Sequence, residues 1–391
     1  MAELPKPTRR PERPWFSAGP TVKRPGWTPE AALSGALLGR GIRAPAVLAR
    51  IAQAIELTRE VLELPAVWRL GFLPGSDTGA MEAAMWSMLG PRPVQVLAYE
   101  NFGSVWAHDL LKELDVEAEA LTCPFGALPD LSRVDPEADL VLVWNGTTSG
   151  VRLPNADFIA EDRQGLVICD ATSAAFAMDL PWDKLDVVTF SFQKALGGEA
   201  GIGAIALSPK AWARLESYVP TRAIPKVCRL HVDGRPDEAI YRGVPVNTYS
   251  MLTIEDWLDG LKWAARAGGL AELKRRTQAN FALLSEWVER TPWVDFLARD
   301  PATRSETSVV LTFANADSFG SDSVKKSAFV ARFCSILERE GVAFDINSHR
   351  SAPVGIRIWC GCTVERDDLE ALLPWLDWAW ATVSAEQMAA A

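Results

Sequence analysis

From about residue 45 to residue 260 the chain alternates short apolar runs with helical patterns, and no other feature restricts its fold as much. The runs are VQVLAYE (94–100), DLVLVWN (139–145), GLVICDAT (165–172), VVTFSFQK (187–194) and GIGAIALS (201–208). Between some of them lie periodic segments such as AMEAAMWSMLG and VWAHDLLKELDVE, whose spacing predicts helices. Strands apolar along nearly their whole length belong to a parallel sheet with helices on both faces, so the expected fold is an α/β domain around an open, mostly parallel sheet. The stretch SMLTIEDWLDGLKWAARAGG reads as a long linking helix, after which the pattern changes. Helices (ELKRRTQANFALLSEWVER, SAFVARFCSILEREG) then flank the few strands expected at SVVLTFA, VAFDIN and GIRIWCG, and ERDDLEALLPWLDWAWATVS predicts a closing helix. A chain of 391 residues exceeds what one core needs. The reading is therefore a proline-rich irregular segment (1–45) near the active site, a large domain (46–262) and a smaller α+β domain (263–391).

Charge and composition exclude several classes of function. The formal net charge is −10, and the one basic run, KPTRRPER at 6–13, reads as a tail or subunit-contact arm, so nucleic acid is not an expected partner. An acidic protein still binds anions where a few arginines converge in one cleft. The six cysteines form no CxxC pair and the three histidines (His108, His231, His349) are scattered. No metal site is expected, and reduced thiols point to the cytoplasm. No apolar leader and no membrane-spanning stretch is read.

Three stretches carry candidate chemistry. In PGSDTGAMEAAM (74–85) small residues open a helix, where free N–H groups and the positive dipole end bind phosphate. An ordinary cap by Ser76 or Asp77 explains the same residues, and the stretch is not a P-loop. In LVICDATSA, Asp170 ends a buried strand, where α/β proteins place ligands; a cap for the next helix is the alternative. In TFSFQKALGGEAG (189–201), Lys194 closes an apolar strand ahead of a glycine-rich turn. Partial burial there would lower its pKa and make it an amine nucleophile; a surface lysine past a strand is the alternative. What unites them is their order: phosphate cradle, strand-end Asp, strand-end Lys.

That order, with FSAGP (16–20), SDTGA (76–80), NGTTSGVRLPNADF (145–158), ICDATSAAFA (168–177), VVTFSFQKALGGE (187–199), NTYSML (247–252) and GIRIWCG (355–361), resembles the phosphoserine aminotransferases. These are class-V members of the fold-type-I enzymes dependent on pyridoxal 5'-phosphate (PLP). The likeness runs from about residue 10 to residue 380. It implies that Lys194 is the Schiff-base lysine and proton shuttle, and that Asp170 pairs with the pyridinium nitrogen. Trp106 would stack on the ring and Thr147 would bond its phenolic oxygen. Asp77, Thr78 and Gln193 would hold the phosphate, with Asn247 and Thr248 reaching it from a second subunit of a homodimer whose sites are shared. Arg357 would bind the substrate's α-carboxylate, and Arg350 with His349 its terminal anion. Arg43 would meet that anion from the partner.

The substrate side departs from the family pattern. Where the branch reads GRSHR this chain reads GRGIR (39–43), so Gly41 and Ile42 replace a serine and a histidine. GGEAGIGA (197–204) lacks another histidine, Ser351 stands where an acid is common, and Arg222 replaces an aromatic. The expected reaction is transamination between L-glutamate and 3-phosphohydroxypyruvate in two half-reactions, with Arg222 a stand-in for the lost phosphate contact. The alternative keeps the chemistry but takes an unphosphorylated oxo acid or aldehyde. A desulfurase would need a reactive cysteine on a mobile loop, and Cys360 and Cys362 lie in a strand-like run instead.

Overall fold

The computed structural model describes residues 4–313 and 323–390. Residues 1–3 of the expected irregular segment, Ala314 of the run SVVLTFA, residues 315–322 and Ala391 lie outside the described residues. In chain order, a single turn, α1 (Pro29–Ala32), precedes α2 (Pro45–Val61), β1 (Arg69–Pro74), α3 (Ser76–Met88), β2 (Val94–Ala98), α4 (Asn101–His108), β3 (Ala118–Thr122), β4 (Asp139–Val143), β5 (Val167–Asp170), β6 (Val187–Ser191) and β7 (Ile202–Leu207). Then come α5 (Pro209–Ser217), the small hairpin β8 (His231–Val232) and β9 (Arg235–Pro236), α6 (Met251–Ala267), α7 (Gly269–Arg290), β10 (Val294–Phe296), β11 (Ser308–Phe313), α8 (Ser323–Arg339), β12 (Ile356–Trp359) and α9 (Arg366–Ala390).

The main sheet has the order β1-β7-β6-β5-β4-β2-β3. All pairings are parallel except those of β7, which runs against both β1 and β6. Strands β2, β4, β5, β6 and β7 are buried along their whole length, as helix-covered strands require. The sequence runs did not include β1 or β3. In β1 the run RLGFLP carries Gly71 and Pro74, and edge strand β3 (AEALT) alternates in burial because one face meets solvent. Helix α2 starts at Pro45, where the missing N–H costs nothing, and buries Val47, Ile51, Ala54, Ile55 and Thr58 on one face. That face packs on α6, whose start is capped by Ser250 Oγ accepting from Thr253 N–H at 3.3 Å.

The apolar interior divides into two clusters. One gathers residues from Val47 to Leu273 with Ala298 and Cys362, the other most buried apolar residues from Leu284 to Val383 together with Phe16, Ala18 and Val22. The linking helix α6 lies wholly within the first cluster, and α7 is the element that runs from one to the other. The second cluster surrounds the sheet β10-β11-β12. VAFDIN, expected as a strand, makes only isolated bridges at Phe344, to Trp15, and at Asn347, to Ile356. The amino-terminal segment occupies the place of a neighbouring strand there, and Trp359 N–H donates to Phe16 O at 3.0 Å.

Candidate active site

Strands β1, β2, β4, β5 and β6 point the same way, so their carboxyl ends open on one edge of the sheet. The residues just past those ends line one cavity of about 220 Å³: Ser76, Asp77 and Thr78 after β1, Trp106 after β2, Asn145 and Thr147 after β4, Asp170 and Thr172 at β5, and Gln193 and Lys194 after β6. This is where open α/β sheets bind ligands. Gly19 and Pro20 of the amino-terminal segment complete the lining. Thr21 ties that segment down, its N–H donating to Gln193 O at 3.0 Å and its Oγ1 to Lys194 O at 2.6 Å.

Lys194 is buried, and its Nζ donates to the Ala18 carbonyl. Gly19 has a φ of 153°, which residues with a side chain rarely adopt, and a Cβ there would lie 2.6 Å from that amine, so glycine suits the segment where it closes over Lys194. Burial, then the Arg357 charge, lower the Lys194 pKa to about 7 from 10.5, against the opposing pull of Asp170, Glu100 and Asp77. Facing it, Asp170 accepts from Thr172 N–H at 3.0 Å (Oδ1) and from Trp106 Nε1–H at 3.3 Å (Oδ2). Trp106 on α4 is buried, and its bond to Asp170 fixes both the indole wall and the carboxylate.

The start of α3 is built for close approach to the sheet. Gly75 adopts a left-handed φ of 93°, and a Cβ at Gly79 would lie 1.9 Å from Pro74 O. The Asp77 side chain does not turn out toward the helix end. It is folded into the protein beside Asp170, and burial followed by the Asp170 charge raises its pKa well above the usual carboxylate range. A phosphate at this helix start could therefore meet the backbone N–H of Asp77 and not its carboxyl. Several buried polar atoms here lack any partner, among them Asp77 Oδ1, Thr172 Oγ1, Gln193 Oε1 and Arg357 Nε. Orphaned groups of this kind suit a polar ligand.

Arg357 on β12 reaches from the second cluster, with Nη1–H donating to Thr147 O at 3.4 Å. His349 lies near the same opening. Its Nδ1 is 2.6 Å from Ser351 Oγ, which donates to Asn101 Oδ1 at 2.7 Å. Burial, then Arg357, Arg350 and Lys194, hold its pKa below the ordinary value, so the ring stays neutral at neutral pH. Arg350 is exposed. These charges gather at the opening where the sequence placed an anion site.

Two sets of expected residues are not brought to this cavity. Arg43, Asn247 and Thr248 are exposed, and Arg43 Nη2–H donates to Pro245 O at 3.3 Å, so all three lie on one outward face. Arg222 is a correction. Its guanidinium donates to Leu114 O at 3.1 Å, to Leu89 O and to Tyr218 Oη at 3.2 Å. Leu89 caps the far end of α3, so carbonyls at that end hold Arg222 and it cannot serve as the phosphate stand-in. Ile42 packs against the first apolar cluster, which gives it a structural reason to be there.

Sequence reasoning missed Glu100, whose only signal is its place just before the Trp106 helix. It caps α4, Oε1 accepting from Gly103 N–H at 2.9 Å and Oε2 from Thr148 Oγ1–H at 2.6 Å. Burial raises its pKa to about 7. Asn145 opens the NGTTSGVRLPNADF motif, and sequence alone assigns it no role. Its Nδ2 donates to Ser173 Oγ and Thr307 Oγ1, both at 2.9 Å, which locks the loop bearing Thr147. Cys360 and Cys362 are buried and burial raises both thiols, Cys362 to about 12, so neither is a reactive nucleophile. Among the described residues, no group of His, Cys, Asp and Glu could hold a metal ion, and no helix is long and apolar enough to cross a membrane.

No protein-family model matches the chain. A phosphoserine aminotransferase of Methanosarcina mazei is 47% identical over 379 residues, covering 97% of this chain and 100% of the relative, and that of Methanosarcina barkeri is 47% identical over the same length. Among solved structures, a phosphoserine aminotransferase of Cytophaga hutchinsonii superposes with a TM-score of 0.79 over 93% of this chain and 98% of the other, at 20% identity. An alanine–glyoxylate aminotransferase of Nostoc sp. gives a TM-score of 0.76 over 97% of each chain, also at 20% identity; likenesses at that identity speak for the fold alone. With nearly half its residues identical to full-length curated relatives, the chain belongs to the phosphoserine aminotransferase family.

Proposed function

We propose that the protein catalyses PLP-dependent transamination between L-glutamate and 3-phosphohydroxypyruvate, giving O-phospho-L-serine for serine biosynthesis. The observation that carries this reading is the buried Lys194 amine facing Asp170 in one cavity, with Arg357 at its mouth. The donor set fits the cofactor. Trp106 gives a flat wall, Asp170 a carboxylate for a ring nitrogen and Lys194 an amine for an aldehyde. The first turn of α3, with Thr78 and Gln193, forms a phosphate cup, and Thr147 lies within reach of a phenolic oxygen. PLP supplies an electron sink conjugated to the substrate's amino nitrogen.

The chain's own groups do the rest. Lys194, neutral above about pH 7, can take a proton from the substrate's α-carbon and return it elsewhere. Trp106 Nε1–H keeps the Asp170 carboxylate aligned. The Gly19–Pro20 segment narrows the cavity and limits water. Arg357 can fork onto the α-carboxylate, while His349 and Arg350 face a terminal phosphate. Because Ile42 packs on the core, its presence does not mark a pocket remade for an apolar acceptor, which favours the phosphorylated substrate. Two or more charge-assisted contacts, each worth about 1.5–3 kcal/mol, predict that kcat/KM for 3-phosphohydroxypyruvate exceeds that for hydroxypyruvate by at least about 100-fold. Steady-state rates with glutamate as donor test this; equal rates for the two acceptors would overturn it.

The active form is a homodimer with shared sites. Arg43, Asn247 and Thr248 present polar groups outward on one face, and Leu38 and Leu252, 47% and 49% exposed, are apolar residues on the same segments. Mixing Lys194→Ala and Arg43→Ala subunits is expected to restore activity, because one of the two sites in each mixed dimer is then intact. Persistent inactivity after verified subunit exchange would refute sharing. The six free cysteines favour the cytoplasm as its compartment.

A further inference from the structure

The floor of the cavity holds two carboxyls where the proposed chemistry uses one. Asp77 is the second residue of α3, and helices commonly turn such a side chain toward their own N–H groups. Here it is directed inward instead, 7% exposed beside Asp170 at 4%. Around it stand the carboxyl of Asp170 and the hydroxyls of Thr172 and Thr189. Asp170 already receives two N–H donors, whereas Asp77 Oδ1 receives none, and Thr172 Oγ1 and Thr189 Oγ1 are likewise unpartnered. Two ionised carboxylates cannot persist in contact at such depth, because each lacks solvent and each repels the other. Lys194 is the nearby amine, and its own burial works against its holding a positive charge.

We propose that Asp77 and Asp170 share one proton, Asp77 donating it to the Asp170 carboxylate, so that the pair carries a single negative charge in the lining of the cavity. An O–H···O⁻ bond of this kind is among the stronger hydrogen bonds available, and it gives the buried Asp77 carboxyl a charged partner. The proton has two consequences, both resting on the PLP reading above. A neutral Asp77 in the first turn of α3 does not repel a phosphate held by the N–H groups of that turn. The hydrogen bond also holds the Asp170 carboxylate in one orientation, facing where the ring nitrogen would lie. Asp77 is thus a positioning residue acting through Asp170.

Two measurements test the pair. The first is an infrared difference spectrum between the wild-type apoenzyme and Asp77→Asn in mildly alkaline buffer, where Glu100, with its pKa near 7, has lost its proton. A carbonyl band of a protonated carboxyl is expected in the wild type and absent from Asp77→Asn. In Asp170→Asn, where burial still keeps Asp77 protonated but its acceptor is no longer an anion, the band is expected at a higher frequency. No band in the wild type, or a band untouched by Asp77→Asn, overturns the proposal. The second is the PLP dissociation constant by equilibrium titration. Asp77→Leu removes the donor and is expected to weaken binding by about ten- to a hundredfold, while Asp77→Asn, which keeps an N–H donor, weakens it less. Equal affinity of Asp77→Leu and wild type overturns the proposal, and so does an Asp77→Asn as weak as Asp77→Leu. If Asp77→Leu fails to fold, the infrared comparison decides alone. If the wild type binds no PLP, the function falls while the infrared band still reports on the pair.

Discussion

Lys194→Ala is expected to lower kcat by about 10⁴-fold or more while leaving the protein folded. The amine is the group placed to bond the cofactor and to carry protons, and general acid–base catalysis alone contributes roughly 10²–10⁴-fold. Borohydride reduction of the wild-type holoenzyme and subsequent peptide mapping should find the pyridoxyl label on Lys194 alone; a label on Lys210 would sink the mechanism. The same residue predicts a pH profile. Burial and Arg357 lower its pKa to about 7, so uptake of PLP by the apoenzyme should accelerate as pH rises through about 7 and then level off. An ordinary lysine would keep accelerating up to its usual 10.5. The same shift sets the sign for stability. Folding the apoenzyme costs most below about pH 7, where the buried amine must be charged, and that cost fades as pH rises toward 10.5. An uptake midpoint near 10 would show that the amine is solvated.

The sheet was legible because its strands are buried on both sides: VVTFS and DLVLV have no polar face to confuse with a helix. The ends of those strands were legible for the same reason, since an Asp or Lys that closes such a run stands at the ligand-binding edge. What escaped was whatever depends on packing across sequence. VAFDIN has a strand's composition, but the amino-terminal segment takes the place beside it, leaving single bridges at Phe344 and Asn347. Arg222 was read from a motif position, yet the carbonyls of Leu89 and Leu114 hold its guanidinium at the far end of α3. Composition cannot show which way a side chain turns at a helix start, so the sequence did not reveal that the Asp77 carboxyl faces the core. Glu100 gave no signal because a carboxylate before a helix is most simply a cap. It is a cap, and burial, with the Asp170 charge adding to it, brings its pKa to about 7.

Asp170→Ala separates holding the cofactor from using it. The phosphate cup at α3 and Lys194 do not depend on the Asp170 carboxylate, so the variant should still take up PLP, though more weakly. What it loses is the charge facing the ring nitrogen. Removing one preorganised group aimed at charge that develops during reaction costs roughly 10²–10³ in kcat, and a fall of that size is expected here with a much smaller change in KM for glutamate. Trp106 loses the acceptor of its indole N–H at the same time, so some loosening of the wall accompanies the electronic effect. Asp170→Asn distinguishes the two causes, since its amide oxygen still accepts from Trp106 while the negative charge is gone. If charge is what matters, Asp170→Asn is nearly as slow as Asp170→Ala; if alignment of Trp106 is what matters, Asp170→Asn recovers most of the rate. Near-normal kcat in Asp170→Ala would mean that a different residue faces the ring nitrogen.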